Sequence, residues 1–532
     1  MNCFSLLPVR IKIAAGFQAI TFPVVLMVSS PAQAQTCNAP ATDIVSTVSL
    51  PGAPFAAIPT NDGCTIFVSM NSQQDRTTPG HIAVLSRAGG KVILAHDIPI
   101  PSQGAVGGMA LSHDGKFLAV SNGSGVLLLD ADRLVAGDGK PVANATDPHE
   151  AGPQGQAGSI YVAISPDDKV LFVSDEGTAS VTVYDLAKLR GGDTNLIGRI
   201  SVGIAPVGLV FSPDGRRLYT TSEIAQPGSM PATCPGEGGS GGTTPQGLLT
   251  VVDVARAARD PAGAVLAKVP SGCDPVRVAL SKDGSRAFVT ARGADSLMVF
   301  DTAKLVTDAD HASIATVIAG KSPVGVAVAG QNVVTADSNR FAQAGRKGEW
   351  LSVIDPATSK LIGNVPAGLF PRELYVTADG ETLLVTNFSS NSLGLVDLAR
   401  LTPAYFAQQK PIKDADDAEQ AKADAARQAR IAAKQPSPGT EAALRKFIAS
   451  MQAKTPIYDE LTPNLATAVR ATAETAEKRI EDWGSLQSVT FLTVTPQNAD
   501  VYEVDFEHQK SRWIIAIAPD GKIGPLGFGP MP

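Results

Sequence analysis

Charged and amide side chains recur at two places in a repeated pattern along this 532-residue chain. One set follows a short apolar run, and the other lies just after a proline that precedes such a run. We select as candidate ligand-binding residues Asn71, Asn122, Asp175, Glu223, Arg277, Arg292, Asp337, Arg372 and Asn387. Arginine forks suit carboxylate or phosphate ligands, so this set predicts an anion-binding pocket or a hydrolytic site. The competing interpretation is a satisfied hydrogen-bond network that ties neighbouring parts of the fold together.

A hydrolytic site would need a general base, and residue spacing alone assigns none. Glu223 or Asp175 could act as the base while an arginine stabilises the oxyanion. Catalytic residues therefore stay unassigned at this stage.

Metal and nucleic-acid chemistry have little support in the sequence. The six histidines never pair at a metal-ligand spacing, and no cluster of cysteine with histidine occurs. We therefore expect no metal, haem or other cofactor. A net charge of −7 argues against a nucleic-acid partner, because such partners need a basic surface.

The elements that must position these residues belong to a repeat of about 50 residues. Each unit reads as strand, turn, strand, loop, strand, and its first turn carries an Asp-Gly or similar pair. The turn residues are Asp62, Asp114, Asp167, Asp214, Asp283, Gly330 and Asp379. Seven such units predict an all-β, seven-bladed propeller over residues 43–401.

The ends and insertions of this repeat lead to further predictions. The last unit lacks a fourth strand, and residues 43–50 form a strand without a unit, so pairing the two would close the ring. Residues 225–246 and 338–350 are insertions that follow second strands and should rise over the mouth of the propeller. The second insertion carries Arg340, Arg346 and Lys347, which makes it a candidate recognition loop.

The amino terminus predicts export. Residues 1–34 combine basic residues, an apolar run and the Ala32-Gln33-Ala34 cleavage pattern of a signal peptide. Four cysteines then remain in the mature chain, which indicates two disulfides in an oxidising compartment. Their positions in the repeat favour Cys37–Cys64 and Cys234–Cys273, with a stabilising role. We expect a periplasmic or secreted protein that has no membrane contact after cleavage.

The carboxyl-terminal part has a different composition. Residues 405–438 form an Ala-rich, charged linker, which is either a solvated helix or a disordered spacer. Residues 439–532 predict a small α+β domain with a helix capped by Thr440, a second helix that opens at Thr462-Pro463, and a sheet covered on one side.

Part of the repeat closely resembles a known family. The residues that carry the resemblance are Leu384, Val385, Thr386 and Asn387, followed by residues 389–393 and 396–397, and residues 171–186 and 287–301 match the same pattern. They resemble the YVTN repeat of bacterial and archaeal seven-bladed propellers. The chain is also similar to lactonase propellers, which include 6-phosphogluconolactonases and muconate cyclases, and to haem-d1 and amine-dehydrogenase propellers. The carboxyl-terminal domain resembles, by the order of its elements, the small cone-shaped domains related to nuclear transport factor two.

The resemblance implies the fold and leaves the activity open, because the motif residues form blades. Our first expectation is an exported, non-enzymatic binding or scaffold protein that recognises an unknown protein or a small anionic ligand at the propeller mouth. The alternative is a lactonase-like hydrolase of sugar or organic-acid lactones. We expect the protein to be a monomer.

Overall fold

The computed structural model describes residues 37, 43–71, 78–88, 90–101, 106–147, 158–193, 196–230, 232–235, 243–340, 346–495 and 497–531. The predicted signal peptide and parts of both insertions (residues 231, 236–242 and 341–345) lie outside these ranges. The described residues all belong to one unit that begins at Cys37.

Seven four-stranded antiparallel sheets form a ring. Blade one is β2–β5 (Ala53–Pro59, Thr65–Asn71, His81–Ala88, Lys91–Pro99), and blade two is β6–β9 (Met109–Leu111, Phe117–Ser121, Gly125–Asp130, Ala143–Thr146). Blade three is β10–β13 (Ser159–Ile164, Val170–Asp175, Ser180–Asp185, Leu196–Ser201). Blade four is β14, β15, β18 and β19 (Ile204–Phe211, Arg217–Ile224, Leu248–Asp253, Val265–Pro270). Blade five is β20–β23 (Pro275–Leu280, Arg286–Ala291, Ser296–Asp301, Ser313–Ile318). Blade six is β24–β27 (Pro323–Ala329, Asn332–Asp337, Glu349–Asp355, Lys360–Ala367). Blade seven is β28–β30 (Pro371–Val376, Thr382–Asn387, Ser392–Asp397) together with β1 (Val45–Ser49). The first strand of every blade contacts the first strands of both neighbouring blades, which closes the ring. The predicted seven-bladed propeller is therefore confirmed.

The ring closes where the sequence predicted. Strand β1 pairs antiparallel with β30, with Val45 opposite Val396 and Ser49 opposite Ser392. The amino-terminal strand thus supplies the fourth strand of the last blade. This pairing covers an edge that would otherwise be open.

The Asp-Gly turns share one hydrogen-bond pattern. In blade four the Asp214 carboxylate accepts hydrogen bonds from the Ser212 hydroxyl and the Arg216 amide, at 2.6 and 3.0 Å. Gly215 has a φ of +68°, a conformation that glycine adopts without steric cost. Because the aspartate satisfies turn donors and the glycine supplies left-handed backbone, the pair specifies a tight reversal.

Hydroxyl groups on the second strands tie neighbouring blades together. In six blades a serine or threonine donates a hydrogen bond of 2.7–3.2 Å to a backbone carbonyl of the next blade. The carbonyl lies in that blade's first strand, except at Gly107, which is two residues before it. The donors are Ser69, Ser121, Ser174, Thr221, Thr290 and Thr386. Strand register places Ala336 at the equivalent position of blade six. The repeat therefore encodes contacts between blades as well as strands.

Both predicted disulfides are present. Cys37 pairs with Cys64 and Cys234 pairs with Cys273, with Cα atoms 5.0 and 5.5 Å apart. Cys234 lies in a small hairpin of β16 (Ala232–Pro235) and β17 (Thr243–Pro245) inside the blade-four insertion. The second bridge therefore attaches this insertion to blade five.

The helices within the propeller are short, whereas the charged segment after it is one long helix. Helices α1 (Ala131–Val135), α2 (Leu186–Arg190), α3 (Val254–Ala257) and α4 (Lys304–Thr307) have four or five residues each. Helix α5 runs from Pro403 to Ala432, begins before the predicted linker and contains Pro411 in its interior. Of the two predicted states of the linker, the structure adopts the helix.

Helix α5 is bonded to both of its neighbours. The Asp416 carboxylate accepts from Arg346 at 2.8 Å and from the Trp350 indole at 2.9 Å, both at the blade-six insertion. Near the other end of the helix, Arg430 forms an ion pair with Asp500 of the following sheet. The helix therefore connects the blade-six insertion to the carboxyl-terminal domain.

The carboxyl-terminal domain is α+β, as predicted. Helices α6 (Thr440–Gln452) and α7 (Pro463–Trp483) pack on the sheet of β31–β34, and the strands are Leu486–Val494, Asp500–Phe506, Lys510–Ile517 and Ile523–Pro530. Thr462 and Pro463 open α7 as expected. The prediction for Thr440 is wrong: Gly439 occupies the cap position, and the Thr440 hydroxyl instead bonds the Asp500 carboxylate at 2.6 Å.

Candidate functional site

Two layers of equivalent residues surround the propeller axis, one contribution from each blade. Strand register and chain order define the axial layer as Ala56, Gly108, Tyr161, Gly208, Arg277, Gly325 and Glu373. The preceding residues form the collar: Phe55, Gly107, Ile160, Val207, Val276, Val324 and Arg372. The first strand of each blade begins at the mouth and runs away from it. The collar residues therefore lie nearer the mouth than the axial-layer residues that follow them.

Three large polar side chains meet in the axial layer. Arg277 donates to the Glu373 carboxylate at 2.9 Å, and its guanidinium lies 4.6 Å from the centre of the Tyr161 ring. Arg277 and Glu373 are only 3% and 7% exposed, so this ion pair is buried. Burial and the nearby Glu373 carboxylate raise the pKa of the Tyr161 hydroxyl far above its usual value. These residues come from blades three, five and seven and form a plug on the axis.

The four other blades leave room for this plug. Their axial-layer residues are one alanine and three glycines, at positions 56, 108, 208 and 325. A Cβ atom on Gly108 would lie 2.2 Å from the Tyr161 ring. The Tyr161 ring therefore excludes a larger residue at position 108. At Gly208 and Gly325 the close neighbours are instead backbone oxygens of the next blade, because a Cβ atom would lie 2.9 Å from Val276 O and 2.7 Å from Arg372 O, respectively.

Arg372 is the charged member of an otherwise apolar collar. Its guanidinium carbon lies 4.0 Å from the ring centre of Phe55 and 5.6–5.7 Å from those of Phe388 and Phe370. Among the described residues, its buried Nε atom has no hydrogen-bond partner. Burial, together with repulsion from Arg277, lowers the pKa of Arg372 to about 9.

A second ion pair and a perturbed acid lie close to Arg372. Glu223 accepts two hydrogen bonds from Arg292, at 2.9 and 3.1 Å, so both of its oxygens are engaged. Glu176 follows the last residue of β11 and is partly exposed. Burial and the neighbouring Glu223 raise the pKa of the Glu176 carboxyl to about 7, although Arg372, Arg277 and Arg292 oppose this rise.

Of the nine predicted ligand-binding residues, four lie in this charged cluster: Glu223, Arg277, Arg292 and Arg372. Their shared feature is a long side chain, which reaches beyond the strand that carries it. The sequence prediction did not select Tyr161, Glu176, Glu373 or the phenylalanines around Arg372. Glu176 and Glu373 directly follow predicted residues, so proximity in the sequence was the available signal.

The other five predicted residues form local hydrogen bonds. Asn71 bonds both backbone groups of Val106 at 2.7 and 2.8 Å and thereby joins blades one and two. The remaining contacts are Asn122 with Ser124 and Asn144, Asp175 with the Thr178 amide, Asp337 with Thr335 and Ser352, and Asn387 with Gly368 and Ser392. Asn71 thus ties two blades together, as the competing interpretation requires, whereas the contacts of Asn122, Asp175 and Asp337 lie within their own blades.

Asp337 is a buried acid within this network. It accepts hydrogen bonds from the hydroxyls of Ser352 and Thr335, at 2.7 and 2.8 Å. Burial nevertheless raises the pKa of its carboxyl to about 7. The group is therefore largely protonated in weakly acidic solution.

Within the described ranges, no three histidine, cysteine, aspartate or glutamate side chains are placed to hold a metal ion. Within the same ranges, no helix combines the length and the apolar character needed to cross a membrane. His81 and His311 instead bond nearby aspartates, Asp97 at 2.9 Å and Asp308 at 2.8 Å.

The fold and the site together define a seven-bladed β-propeller with a polar plug on its axis, followed by a small α+β domain. Residues 108–340, from blade two into blade six, match the family described as "Lactonase, 7-bladed beta-propeller". The predicted resemblance to lactonase-like propellers is thereby confirmed. The match ends at residue 340 and leaves the carboxyl-terminal domain unidentified, so its resemblance to nuclear transport factor two stays a prediction.

One solved structure similar to the chain is the β-propeller domain of Cps50 (Swd1) from Myceliophteria thermophila, at 12% identity and a TM-score of 0.46. The alignment covers 67% of this chain and 99% of that domain. No curated protein sequence matches the chain.

Proposed function

We propose that this protein is an exported binding protein whose propeller mouth captures a small anionic ligand through Arg372. The observation that carries the proposal is the state of this guanidinium. It is only partly exposed. Burial, together with repulsion from Arg277, Arg340 and Arg292, lowers its pKa to about 9. Repulsion of this kind is relieved when an anion binds between the cations.

The available hydrogen-bond donors support the same proposal. Among the described residues, Nε of Arg372 and one terminal nitrogen of Arg277 are buried without a hydrogen-bond partner. Leaving a buried charged donor unsatisfied costs about 1–3 kcal/mol or more, so a ligand oxygen would restore that free energy. Carboxylates and phosphates match the planar donor geometry of arginine.

Export is part of the proposal and rests on separate features. Residues 1–34 carry the predicted signal pattern, and the mature chain has two disulfides. Disulfides persist in the periplasm and outside the cell. Fractionation of producing cells under non-reducing conditions would check the location.

Calorimetric titration of the full chain with a panel of carboxylates and phosphates tests the binding function. We expect saturable binding that Arg372→Gln weakens at least tenfold while the melting temperature changes little. Arg256→Gln is the matched control, because Arg256 of α3 forms an exposed ion pair with Asp260, which lies beyond the end of that helix. If no anion binds, or if both variants bind alike, the proposal is wrong.

A second candidate function is lactone hydrolysis, and Glu176 is the specific observation that favours it. A carboxyl with a pKa of about 7 is suited to general-base catalysis near neutral pH. Glu176 would take a proton from water as the water oxygen attacks the lactone carbonyl. A neighbouring arginine, Arg372 or Arg292, would stabilise the oxyanion. As that intermediate collapses, the ring C–O bond breaks and the departing alkoxide takes the proton from Glu176, which gives the hydroxy acid. Glu223 is less suited as the base, because Arg292 engages both of its oxygens.

An assay with 6-phosphogluconolactone and simple aldonolactones separates the two functions. Saturable turnover that Glu176→Gln abolishes would replace the binding function with a hydrolase. Glu223→Gln serves as the comparison, since it should disturb Arg292 without removing the proposed base. Absence of turnover above the uncatalysed rate in the wild-type protein would exclude the hydrolase.

A further inference from the structure

We propose that the ligand is a singly charged carboxylate with an aromatic or otherwise apolar body; this inference rests on the proposed binding function. Two observations carry it: the apolar surroundings of Arg372 and the backbone conformation of Phe370. Each of them concerns described residues at the mouth.

The first observation is that the anion-binding group is embedded in apolar surface. Three phenylalanine rings, from residues 55, 370 and 388, lie within 4.0–5.7 Å of the Arg372 guanidinium carbon. Elsewhere in the collar, Val207, Val276 and Val324 pack together with Ile160 beside them. A ligand whose carboxylate reaches Arg372 would therefore place its body against rings and aliphatic groups. Burial of apolar ligand surface there is favourable, whereas a sugar-like body would lose hydrogen bonds to water.

The same apolar surroundings limit the charge of the ligand. A second carboxylate on the ligand body would lie against the phenylalanine rings and aliphatic groups, where the loss of its hydration is costly. These surroundings therefore favour a single carboxylate.

The second observation is strain at one of the rings. Phe370 has a φ of +51°, in the left-handed region that bulky residues avoid. The equivalent positions of blades four, five and six hold Ala205, Asp274 and Ser322, which are smaller and have the same positive φ. Blade seven thus places an aromatic ring where the backbone disfavours it. Strain of this kind is retained at functional sites, which agrees with a ring that serves ligand contact.

Calorimetric titration of the full chain with matched acids tests the class of ligand. The probes are phenylacetate and benzoate, acetate without an apolar body, gluconate with a polar body, phthalate as a dianion, and inorganic phosphate. We expect the two aromatic monoacids to bind at least tenfold more tightly than each of the other four. Arg372→Gln should weaken all binding, and Arg256→Gln should leave it unchanged.

Two ring variants separate ligand contact from a purely structural role. Phe388→Leu keeps an apolar residue but removes the ring, and we expect at least a threefold loss of phenylacetate affinity. Phe370→Gly relieves the positive φ, so the melting temperature should be unchanged or higher while phenylacetate affinity falls. A structural role alone would leave affinity unchanged in Phe370→Gly.

The outcomes distinguish this inference from the function on which it rests. If phosphate, phthalate or gluconate binds as tightly as phenylacetate and depends on Arg372, the ligand class is wrong and the binding function stands. If no anion binds in an Arg372-dependent manner, both are wrong. If aromatic acids are preferred equally by wild type and both ring variants, the assignment of the rings is overturned.

Discussion

The buried ion pair on the propeller axis leads to a quantitative prediction. Arg277 and Glu373 are 2.9 Å apart and almost completely buried. Although burial disfavours the charged guanidinium, the Glu373 carboxylate more than compensates and holds the pKa of Arg277 above its ordinary value. Glu373→Gln would leave the guanidinium charged and buried without its counter-ion. Breaking a pair of this kind costs about 3–5 kcal/mol, and we expect a loss of about 3 kcal/mol because Tyr161 still contacts the cation.

A double-mutant cycle isolates the interaction. Arg277→Met should also destabilise the protein, since it leaves the Glu373 carboxylate unpaired. The double variant should lose at least about 2 kcal/mol less than the sum of the two single variants, because neither charge is then left alone. Urea unfolding followed by circular dichroism gives the free energies, and calorimetry shows whether the propeller unfolds in a separate transition.

The matched control is the exposed pair Arg256–Asp260, whose nitrogen and oxygen are 3.1 Å apart. Exposed pairs of this geometry contribute about 0.2–1 kcal/mol, so Arg256→Met should be nearly neutral. The reasoning fails if Glu373→Gln is as mild as this control, or if the effects of the two axial variants simply add.

Three further predictions follow from other parts of the structure. Removal of residues 45–49 should lower the melting temperature by 10 °C or more in calorimetry, since the loss of five paired residues opens the ring; a truncated chain that melts like wild type would disprove the closure scheme. The pKa of Asp337 is about 7 in the folded protein against an ordinary value of 3.8, so the free energy of unfolding should fall as pH rises from 4 to 7. In the Asp337→Asn variant, this pH-dependent decrease in the free energy of unfolding should be smaller by up to about 4 kcal/mol, and the variant should be more stable than wild type at pH 8. If the free energies of unfolding of variant and wild type run parallel from pH 4 to 8, the assignment of the titrating group to Asp337 is wrong. Asp416→Asn weakens the contacts of α5 with Arg346 and Trp350, so amide hydrogen exchange in residues 413–423 should accelerate at least fivefold. Unchanged exchange would show that other contacts hold the helix.

The pH dependence of ligand binding is a separate consequence of Glu176. Its carboxyl has a pKa of about 7 and lies near Glu223, Arg277, Arg292 and Arg372, so protonation below pH 7 makes the cluster more positive. Affinity for an anion should therefore increase as pH falls from 8 to 6. Glu176→Gln should bind at pH 8 as tightly as wild type does at pH 6, and calorimetric titration at both values measures this. A Glu176→Gln variant that keeps the wild-type pH dependence would place the titrating group elsewhere.

The architecture could be predicted from the sequence because it depends on local patterns that repeat. Asp-Gly turns, runs of strand-forming residues and a spare amino-terminal strand each specify short-range structure. Seven copies then leave a closed ring as the arrangement that buries the faces of every sheet. The disulfide pairing followed from the same repeat, since it assigned each cysteine to one end of a blade.

The composition of the site could not be predicted in this way. Arg277 and Glu373 are 96 residues apart, and both meet Tyr161 only because the ring brings blades three, five and seven to one axis. Glycines at positions 108, 208 and 325 look like ordinary turn residues in the sequence.

The conformation of the segment that forms helix α5 could not be predicted either, because a charged segment with few apolar residues can be a helix or a disordered spacer. In the structure, contacts with blade six stabilise the helix. The sequence by itself thus determined the blades, their closure and the bridges. Only the tertiary structure decided which polar residues meet, because that depends on distances across the ring rather than along the chain.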